Sequence, residues 1–211
     1  MIEKLKALLD FLFPQSDLDK TIAALTPEML VKKFALYEND GVFSFFSYEK
    51  EPIRHMIWKL KYRGDAHIAE LFAISIADMF VEELGEHALF QNFKNLLLIP
   101  IPLSKKRLHE RGYNQALMFA QALKKTNPSL GTIVEDALIK VRETPPQTTL
   151  TKKKRVANLA GVFSIHKPQA VVGRNILLID DVTTTGSTLK EARKTLEKAG
   201  VRSVMCLTIA H

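Results

Sequence analysis

Cysteine and long apolar runs are scarce in this sequence, and each shortage excludes a class of protein. Cys206 is the one cysteine among 211 residues, so an internal disulfide and a four-cysteine zinc site are both impossible. No apolar run approaches the roughly 18 residues that a membrane span needs. Near the start, Asp10 interrupts an apolar stretch that no small-residue cleavage site follows, which indicates an amphipathic helix rather than a signal peptide. We therefore predict a cytoplasmic protein without structural zinc and without a membrane span.

Positive charge, in contrast, is present in excess and unevenly placed. The formal net charge is +7, and residues 101–160 hold 12 lysines and arginines against 4 acidic residues, whereas the rest of the chain holds 18 against 19. Concentrated positive charge attracts phosphates, whether they belong to a nucleic acid or to a small phosphorylated substrate. A solvated surface helix has a similar composition, so charge alone leaves these alternatives open.

The hydrophobic pattern predicts one α/β domain at residues 41–211, preceded by a helical appendage at residues 1–40. In the appendage, Thr26 begins a short helix that runs to about Tyr37. In the domain, alternating strands and helices are typical of a mainly parallel sheet with helices on both faces. The predicted strands are residues 41–48, 96–99, 137–141, 161–165, 176–179 and 201–209, and the predicted helices are two that separate at Gly64, then residues 113–125 and 187–199.

The segment at residues 175–188 carries the chemistry. It reads NILLIDDVTTTGST: an apolar strand ends in Asp180 and Asp181, which we expect to leave the apolar layer together, and a loop containing Gly186 then opens a helix. Adjacent carboxylates are costly unless cations or hydroxyl donors meet them, and the vicinal hydroxyls of a ribose are suitable donors. Loop amides and hydroxyls ahead of a helix N-terminus favour a phosphate dianion. The spacing therefore fits a ribose that carries a 5′-phosphate.

Residues 176–188 resemble the signature of the type I phosphoribosyltransferases along their whole length. The resemblance implies that Asp180 and Asp181 hold the ribose hydroxyls of phosphoribosyl pyrophosphate. It also implies that the 5′-phosphate is held by Thr183, Thr184, Thr185, Gly186, Ser187 and Thr188. The alternative, an acidic pair that only caps the helix, explains one carboxylate and leaves the other unexplained.

A second resemblance, to the ComF family of competence proteins, covers nearly all of the chain from about Gly41. It is carried by FSY at residues 46–48, LKYRG at 60–64, IPIPLSKKRLHERGYNQA at 99–116 and TPPQTTLTKKKRVANLAGVF at 144–163. Many members begin with a cysteine-rich zinc ribbon, which residues 1–40 do not match, so no role of the ribbon is transferred to this chain. ComF relatives are associated with the uptake of single-stranded DNA during natural transformation.

The turn that follows the strand at residues 96–99 is a candidate diphosphate site. Two prolines force an extended exit from the strand, and Ser104 then caps a turn that bears three cations. In related transferases this position is the pyrophosphate loop. The resemblance implies diphosphate binding by Ile101, Lys105 and Lys106. Closure of a later loop is expected to bring Arg142 or Arg155 against the same group. An exposed basic turn is the alternative interpretation.

That later loop, residues 142–158, is rich in threonine, proline and lysine and fits neither a helix nor a strand. Long loops in compact domains are often lids, so we predict a mobile lid over the site. Its candidate residues are Arg142, Gln147 and Asn158. Four consecutive cations cannot all converge on one small ligand, which makes Lys152, Lys153 and Lys154 candidates for nucleic-acid contacts.

Trp58, Tyr62 and Arg63 lie one helical turn apart or less and are candidates for stacking a base, although we favour core packing for the two aromatic rings. Taken together, the residues predict a phosphoribosyltransferase-like protein that binds phosphoribosyl pyrophosphate with Mg²⁺, the ion being held through the ligand and not by protein side chains. The acceptor of the phosphoribosyl group is not readable. Handling of single-stranded DNA, with competence proteins as partners, is compatible with this function, and purine or pyrimidine salvage is the alternative.

Overall fold

A six-stranded sheet forms the centre of the structure, a computed structural model that describes residues 17–32, 37–39, 41–86, 96–143 and 161–211. The strands are β1 (Tyr37–Asn39), β2 (Val42–Phe46), β3 (Leu97–Pro100), β4 (Thr132–Ile133), β5 (Leu138–Lys140), β6 (Phe163–Ile165), β7 (Asn175–Val182) and β8 (Ser203–Ala210). The sheet has the order β1-β2-β8-β7-β3-β4, with β1 antiparallel to β2 and all other neighbours parallel. β5 and β6 pair with each other in a separate antiparallel sheet.

Helices cover both faces of the large sheet. They are α1 (Asp17–Ala23), α2 (Pro27–Val31), α3 (Glu51–Arg63), α4 (Ala66–Glu86), α5 (Lys105–Arg111), α6 (Gln115–Thr126), α7 (Pro168–Val171) and α8 (Ser187–Lys198). Alternate side chains of β7 divide the core: Leu177 and Ile179 pack with residues of α3, α4 and α6, whereas Ile176 and Leu178 pack with residues of α8 and the small sheet. The predicted α/β class, a mainly parallel sheet with helices on both faces, is confirmed.

Local signals in the sequence fix the ends of several helices. The Thr26 hydroxyl accepts from the Met29 amide at the start of α2, and Ser104 accepts from the Arg107 amide at the start of α5, as predicted. Gly64 ends α3 with φ of +61°, and a Cβ there would lie 2.9 Å from Tyr113 Cε1. Only glycine therefore lets the end of α3 approach the start of α6 so closely.

The predicted helix from Thr26 to Tyr37 is wrong in its second half. The helix ends at Val31, and Tyr37–Asn39 forms β1. Asn39 pairs with Val42, so the Asp-Gly dipeptide at residues 40 and 41 joins two antiparallel strands. Asp-Gly is a strong hairpin signal, and strand pairing overrides the helical pattern before it.

The described residues before position 40 pack against the same core as the rest: Ile22 and Leu30 are buried among side chains of the sheet and of α4. The domain boundary at residue 40 stays a prediction. The amphipathic helix predicted at the start of the chain lies outside the described residues, as does most of the predicted lid, residues 144–158. In the described part of the chain, no helix has the length and apolar character needed to cross a membrane.

Candidate functional site

The two carboxylates of the motif belong to β7 and do not lie beyond it. β7 continues through Asp180 and Asp181 to Val182, and both acids are buried. The two side chains start from opposite faces of the strand, yet their carboxylates stay close enough to interact, and Lys61 acts on both. Asp181 faces Lys61 of α3, and Asp180 faces the side of Cys206 and Lys140. The expectation that they leave the apolar layer together is therefore wrong: they reach the carboxyl end of the sheet inside the strand.

Asp181 has one carboxylate oxygen in a backbone hydrogen bond and the other beside Lys61. Its Oδ1 accepts a hydrogen bond from the Val182 amide at 2.7 Å. Its Oδ2 lies 3.3 Å from Lys61 Nζ, an ion pair without the geometry of a hydrogen bond, and within the described part of the chain this buried oxygen accepts no hydrogen bond. A buried carboxylate oxygen with free acceptor capacity indicates a place for a hydroxyl donor.

Asp180 is buried and bonds to the backbone of its own strand. Its Oδ1 accepts from the Asp181 amide at 2.9 Å. Burial, reinforced by the neighbouring Asp181 charge, raises the pKa of Asp180 far above its ordinary value, although the hydrogen bond from the Asp181 amide and the charge of Lys61 work in the other direction. The pair therefore carries one negative charge more readily than two.

Two lysines that sequence reasoning gave no role adjoin this acidic pair. Burial opposes the charge of Lys61, but the charges of Asp181 and Asp180 outweigh it and raise its pKa. Burial and the charge of Arg107 lower the pKa of Lys140, while the charges of Glu143 and Asp180 act against them. Lys61 stands in the LKYRG segment that carries the ComF resemblance, which was a usable signal, whereas nothing in the sequence around Lys140 pointed to the site.

Residues 183–186 connect the end of β7 to α8, whose first residues are Ser187 and Thr188. The Thr183 amide donates to Ala210 of β8 at 3.0 Å, and the hydroxyls of Thr185 and Ser187 lie 2.8 Å apart. Gly186 is the N-cap residue of α8, with φ of +67° and no side-chain capping bond. A Cβ built on it would meet only Thr183 Oγ1, at 4.0 Å. The loop thus leaves open space beside a helix N-terminus, which is where a phosphate is favoured.

The candidate diphosphate turn follows β3, the neighbour of β7. Pro100 of β3 is level with Ile179, so the turn begins beside the acidic pair. The Ile101 amide donates to the Ile179 carbonyl at 2.7 Å, and the Ile101 carbonyl accepts from Asn114 at 3.0 Å. Lys105 and Lys106 are exposed in the first turn of α5, and Lys106 Nζ lies 3.9 Å from Glu110. The structure brings this turn to the same edge as the acids.

Core packing of Trp58 and Tyr62 is a wrong prediction. Both rings are exposed on α3 and lie against each other. Arg142 is described and exposed after β5. The other predicted lid, diphosphate and nucleic-acid residues lie outside the described residues: Gln147, Lys152, Lys153, Lys154, Arg155 and Asn158. In the described part of the chain, no group of three or more His, Cys, Asp or Glu side chains is arranged to hold a metal ion.

Comparison with known proteins places this site in a family. The family model of the phosphoribosyl transferase domain matches residues 115–211, which include the acidic pair and the loop that follows it. Competence protein F of Haemophilus influenzae is 39% identical over 168 residues, which are 76% of this chain and 69% of that protein. The chain belongs to the ComF family.

Other ComF relatives match less of their own length. Competence protein ComFC of Bacillus subtilis is 34% identical over 175 residues, 82% of this chain and 64% of that protein. The DNA utilization protein YhgH of Escherichia coli K12 is 31% identical over 116 residues, 53% of this chain and 49% of that protein. This chain therefore spans less than two thirds of the length of these two relatives. Both resemblances noted in the sequence are confirmed.

Proposed function

We propose that this ComF protein binds phosphoribosyl pyrophosphate with Mg²⁺ and acts in the handling of single-stranded DNA. The observation that carries the first part is the succession of a buried acidic pair, a loop with open space at Gly186, and the N-terminus of α8. This succession offers hydroxyl acceptors and phosphate donors at the two ends of a ribose 5-phosphate.

In this proposal Asp181 is the main acceptor for the ribose. Its Oδ2 is buried and accepts no hydrogen bond within the described residues, so a ribose hydroxyl completes its bonding. Lys61 Nζ, 3.3 Å away, offers an ammonium group to the same carboxylate oxygen. Asp180, whose pKa is raised by burial, serves the second hydroxyl in either protonation state, because a protonated carboxyl still accepts through its carbonyl oxygen.

The diphosphate is assigned to the turn after β3 and to nearby cations. Lys105 and Lys106 are exposed at the start of α5, Lys140 of β5 interacts with both Arg107 and Asp180, and Arg155 is expected to approach from the lid. Mg²⁺ bound to the diphosphate supplies further neutralisation of its charge.

Transfer from this ligand requires that the bond between C1 of the ribose and the diphosphate oxygen break. The bonding electrons leave with the diphosphate, where the cations of the turn stabilise them, and a nucleophile then bonds to C1 and loses its proton to solvent or to a base. The acidic pair holds the ribose still while positive charge grows on the sugar. Closure of the lid excludes water as a competing nucleophile.

The DNA-handling part is supported by two different facts. Relatives at 31–39% identity are named competence or DNA utilization proteins. Residues 101–160 carry an excess of eight positive charges, which suits a polyanion.

The deciding experiment is calorimetric titration with phosphoribosyl pyrophosphate, with and without Mg²⁺. We expect Mg²⁺-dependent binding that the double variant Asp180→Asn, Asp181→Asn weakens at least tenfold. Asp136→Asn, which changes an exposed acid paired with Lys167, is the matched control and should bind like the wild type. Retained affinity in a folded double variant would remove the acidic pair from the site. Release of pyrophosphate on addition of a purine or pyrimidine base would favour the salvage alternative.

A further inference from the structure

The last turns of α3 have two faces with different contacts. Lys61 reaches inward to Asp181, whereas Trp58 and Tyr62 on the outer side are 43% and 63% exposed. These two are the aromatic members of the exposed large apolar side chains in the described part of the chain, and they are neighbours. Adjacent exposed rings, unlike apolar side chains scattered singly over a surface, call for an explanation.

The two exposed rings and the half-buried ring of His55 form a row. The rings of His55 and Trp58 have their centroids 5.8 Å apart at 31°, and those of Trp58 and Tyr62 are 5.7 Å apart at 40°. The Arg63 guanidinium lies 5.4 Å from the Trp58 centroid, and the Arg111 guanidinium lies 5.4 Å from the Tyr62 centroid. We call these five side chains the aromatic row.

The charge of the aromatic row is positive. Asp19, the carboxylate that contacts His55 at 3.1 Å, is itself neutralised by Lys59 Nζ at 2.6 Å. Two planar guanidinium groups therefore flank two exposed rings. Rings with planar cations are the combination that binds unpaired bases: the base stacks on the ring, and the guanidinium meets the phosphate or the base plane. Paired bases in a duplex offer no free face, and an apolar peptide would gain nothing from the two arginines.

The row also adjoins the candidate site. Arg111 bonds to Gln115, and the neighbouring Asn114 holds the Ile101 carbonyl at the start of the diphosphate turn. Tyr62 follows Lys61, the partner of Asp181, in the chain. A ligand on the row thus lies against the rim of the proposed phosphoribosyl pyrophosphate site.

From this geometry we propose that the aromatic row is a binding surface for single-stranded nucleic acid, whose bases stack on Trp58 and Tyr62. The proposal rests on the DNA-handling part of the function proposed above and identifies where the strand binds. Packing of the rings and guanidinium groups against one another accounts for the contacts within the row. It does not account for the exposure of Trp58 and Tyr62 to solvent.

The chain offers a direct probe, because Trp58 is its one tryptophan. A 15-residue oligothymidylate should quench the fluorescence of Trp58, whereas an abasic oligonucleotide of equal length and charge should leave it nearly unchanged. Equal quenching by the two would overturn the proposal, since phosphates alone would then account for it. Thymidine monophosphate that binds as tightly as the 15-mer would also overturn it, because the surface would then be a mononucleotide site.

Variants separate stacking from stability. Tyr62→Ala should weaken binding of the 15-mer, measured by anisotropy of a labelled strand, by about tenfold, within the range expected when one base loses its stacking partner. Tyr62→Phe, which keeps the ring, should bind like the wild type. So should Ile74→Ala, which shortens an exposed apolar side chain on α4. Equal affinity of Tyr62→Ala and the wild type would overturn the surface assignment.

The same measurements separate this proposal from the one on which it rests. If the wild type binds the 15-mer without quenching of Trp58, and Tyr62→Ala binds it equally well, the aromatic row is refuted but the DNA-handling function is not. A wild-type chain that does not bind the 15-mer at all refutes the DNA-handling function, and the row with it. Calorimetry with phosphoribosyl pyrophosphate is independent of both results.

Discussion

Asp180 links the charge of the site to the stability of the fold. Burial and the Asp181 charge raise its pKa from 3.8 to about 8. Between these values the folded chain keeps a proton that the unfolded chain has lost, so the free energy of unfolding falls as pH rises through this window. Asp180→Asn removes this titrating group, so the free energy of unfolding should fall less steeply between pH 5 and 8. The slope should change by at most about 1.4 kcal/mol per pH unit. Urea unfolding of both proteins at several pH values measures this.

The control for Asp180 is an exposed acid. Hydrogen bonding to Lys167 lowers the pKa of Asp136, so Asp136 stays charged from pH 5 upward in both states. Asp136→Asn should therefore leave the pH dependence of stability as it is in the wild type. Parallel curves for the wild type and Asp180→Asn would show that Asp180 does not titrate in this range.

Lys61 permits a second test at the residue scale. Lys61→Met removes the cation beside Asp181 and leaves a buried carboxylate without its charged partner. Breaking a buried pair typically costs roughly 3–5 kcal/mol, and since the Lys61 side chain is 24% exposed we expect roughly 1–3 kcal/mol. Lys125→Met breaks an exposed pair with Glu70 and should cost at most about 1 kcal/mol. Equal losses in chemical denaturation would mean that Lys61 is an ordinary surface lysine.

The site residues that lie together in one segment of the sequence could be predicted, whereas the contacts between distant segments could not. The acidic pair and Gly186 stand close together in the sequence, so their types and spacing predicted their site. Lys61 and Lys140 reach Asp181 and Asp180 only through the fold, from positions 120 and 40 residues earlier in the chain. The exposure of Trp58 was within reach of the sequence: Ile53, Met56, Ile57 and Leu60 form the buried stripe of α3, and position 58 lies off it.

At the scale of elements, the junction of β7 and α8 makes a sharp prediction. Gly186 has φ of +67°, which strains a β-branched residue, and the space that its missing Cβ leaves is the proposed place of the 5′-phosphate. Gly186→Val should abolish binding of phosphoribosyl pyrophosphate in calorimetry, with a loss of stability of only about 1–3 kcal/mol.

Gly173→Val is the matched control for this junction. Gly173 has φ of +68° and no heavy atom within 4 Å of a built Cβ, so the backbone strain is the same but no ligand is proposed there. The two variants should lose similar stability, and only Gly186→Val should lose the ligand. Loss of binding in both would trace the effect to folding rather than to the phosphate site.

Elements were easier to predict than their pairing. The strands at residues 137–141 and 161–165 were expected from short apolar runs, and β5 and β6 lie within them. β5 and β6 pair with each other and not with the large sheet. Which strands pair depends on contacts between distant parts of the chain, and the local sequence pattern of a strand does not specify its partner. β4 has two residues, too few for a periodic signal.

At the scale of the whole molecule, the uneven distribution of positive charge determines where the protein can bind a polyanion. Residues 101–160 hold the entire excess of positive charge and include the candidate diphosphate turn at one end and Lys152–Lys154 near the other. A small ligand can neutralise a few of these charges, whereas a strand can follow many of them at once. The number of phosphate groups bound is therefore the quantity that separates the two uses of the segment.

That number is measured by the dependence of DNA affinity on salt. Removing one lysine that binds a phosphate of a single strand lowers the magnitude of the slope of log affinity against log salt by roughly 0.7, so replacing Lys152, Lys153 and Lys154 by alanine should lower it by roughly 2. Binding of phosphoribosyl pyrophosphate should change little, because among the four consecutive cations of the loop only Arg155 is assigned to the diphosphate. A variant that replaces Lys20, Lys194 and Lys198, three exposed lysines outside the segment, has the same net charge and should keep the wild-type slope. An unchanged slope in the first variant would show that Lys152, Lys153 and Lys154 do not bind DNA phosphates. A slope lowered equally in both variants would show that DNA affinity depends on the total charge of the protein and not on a particular site.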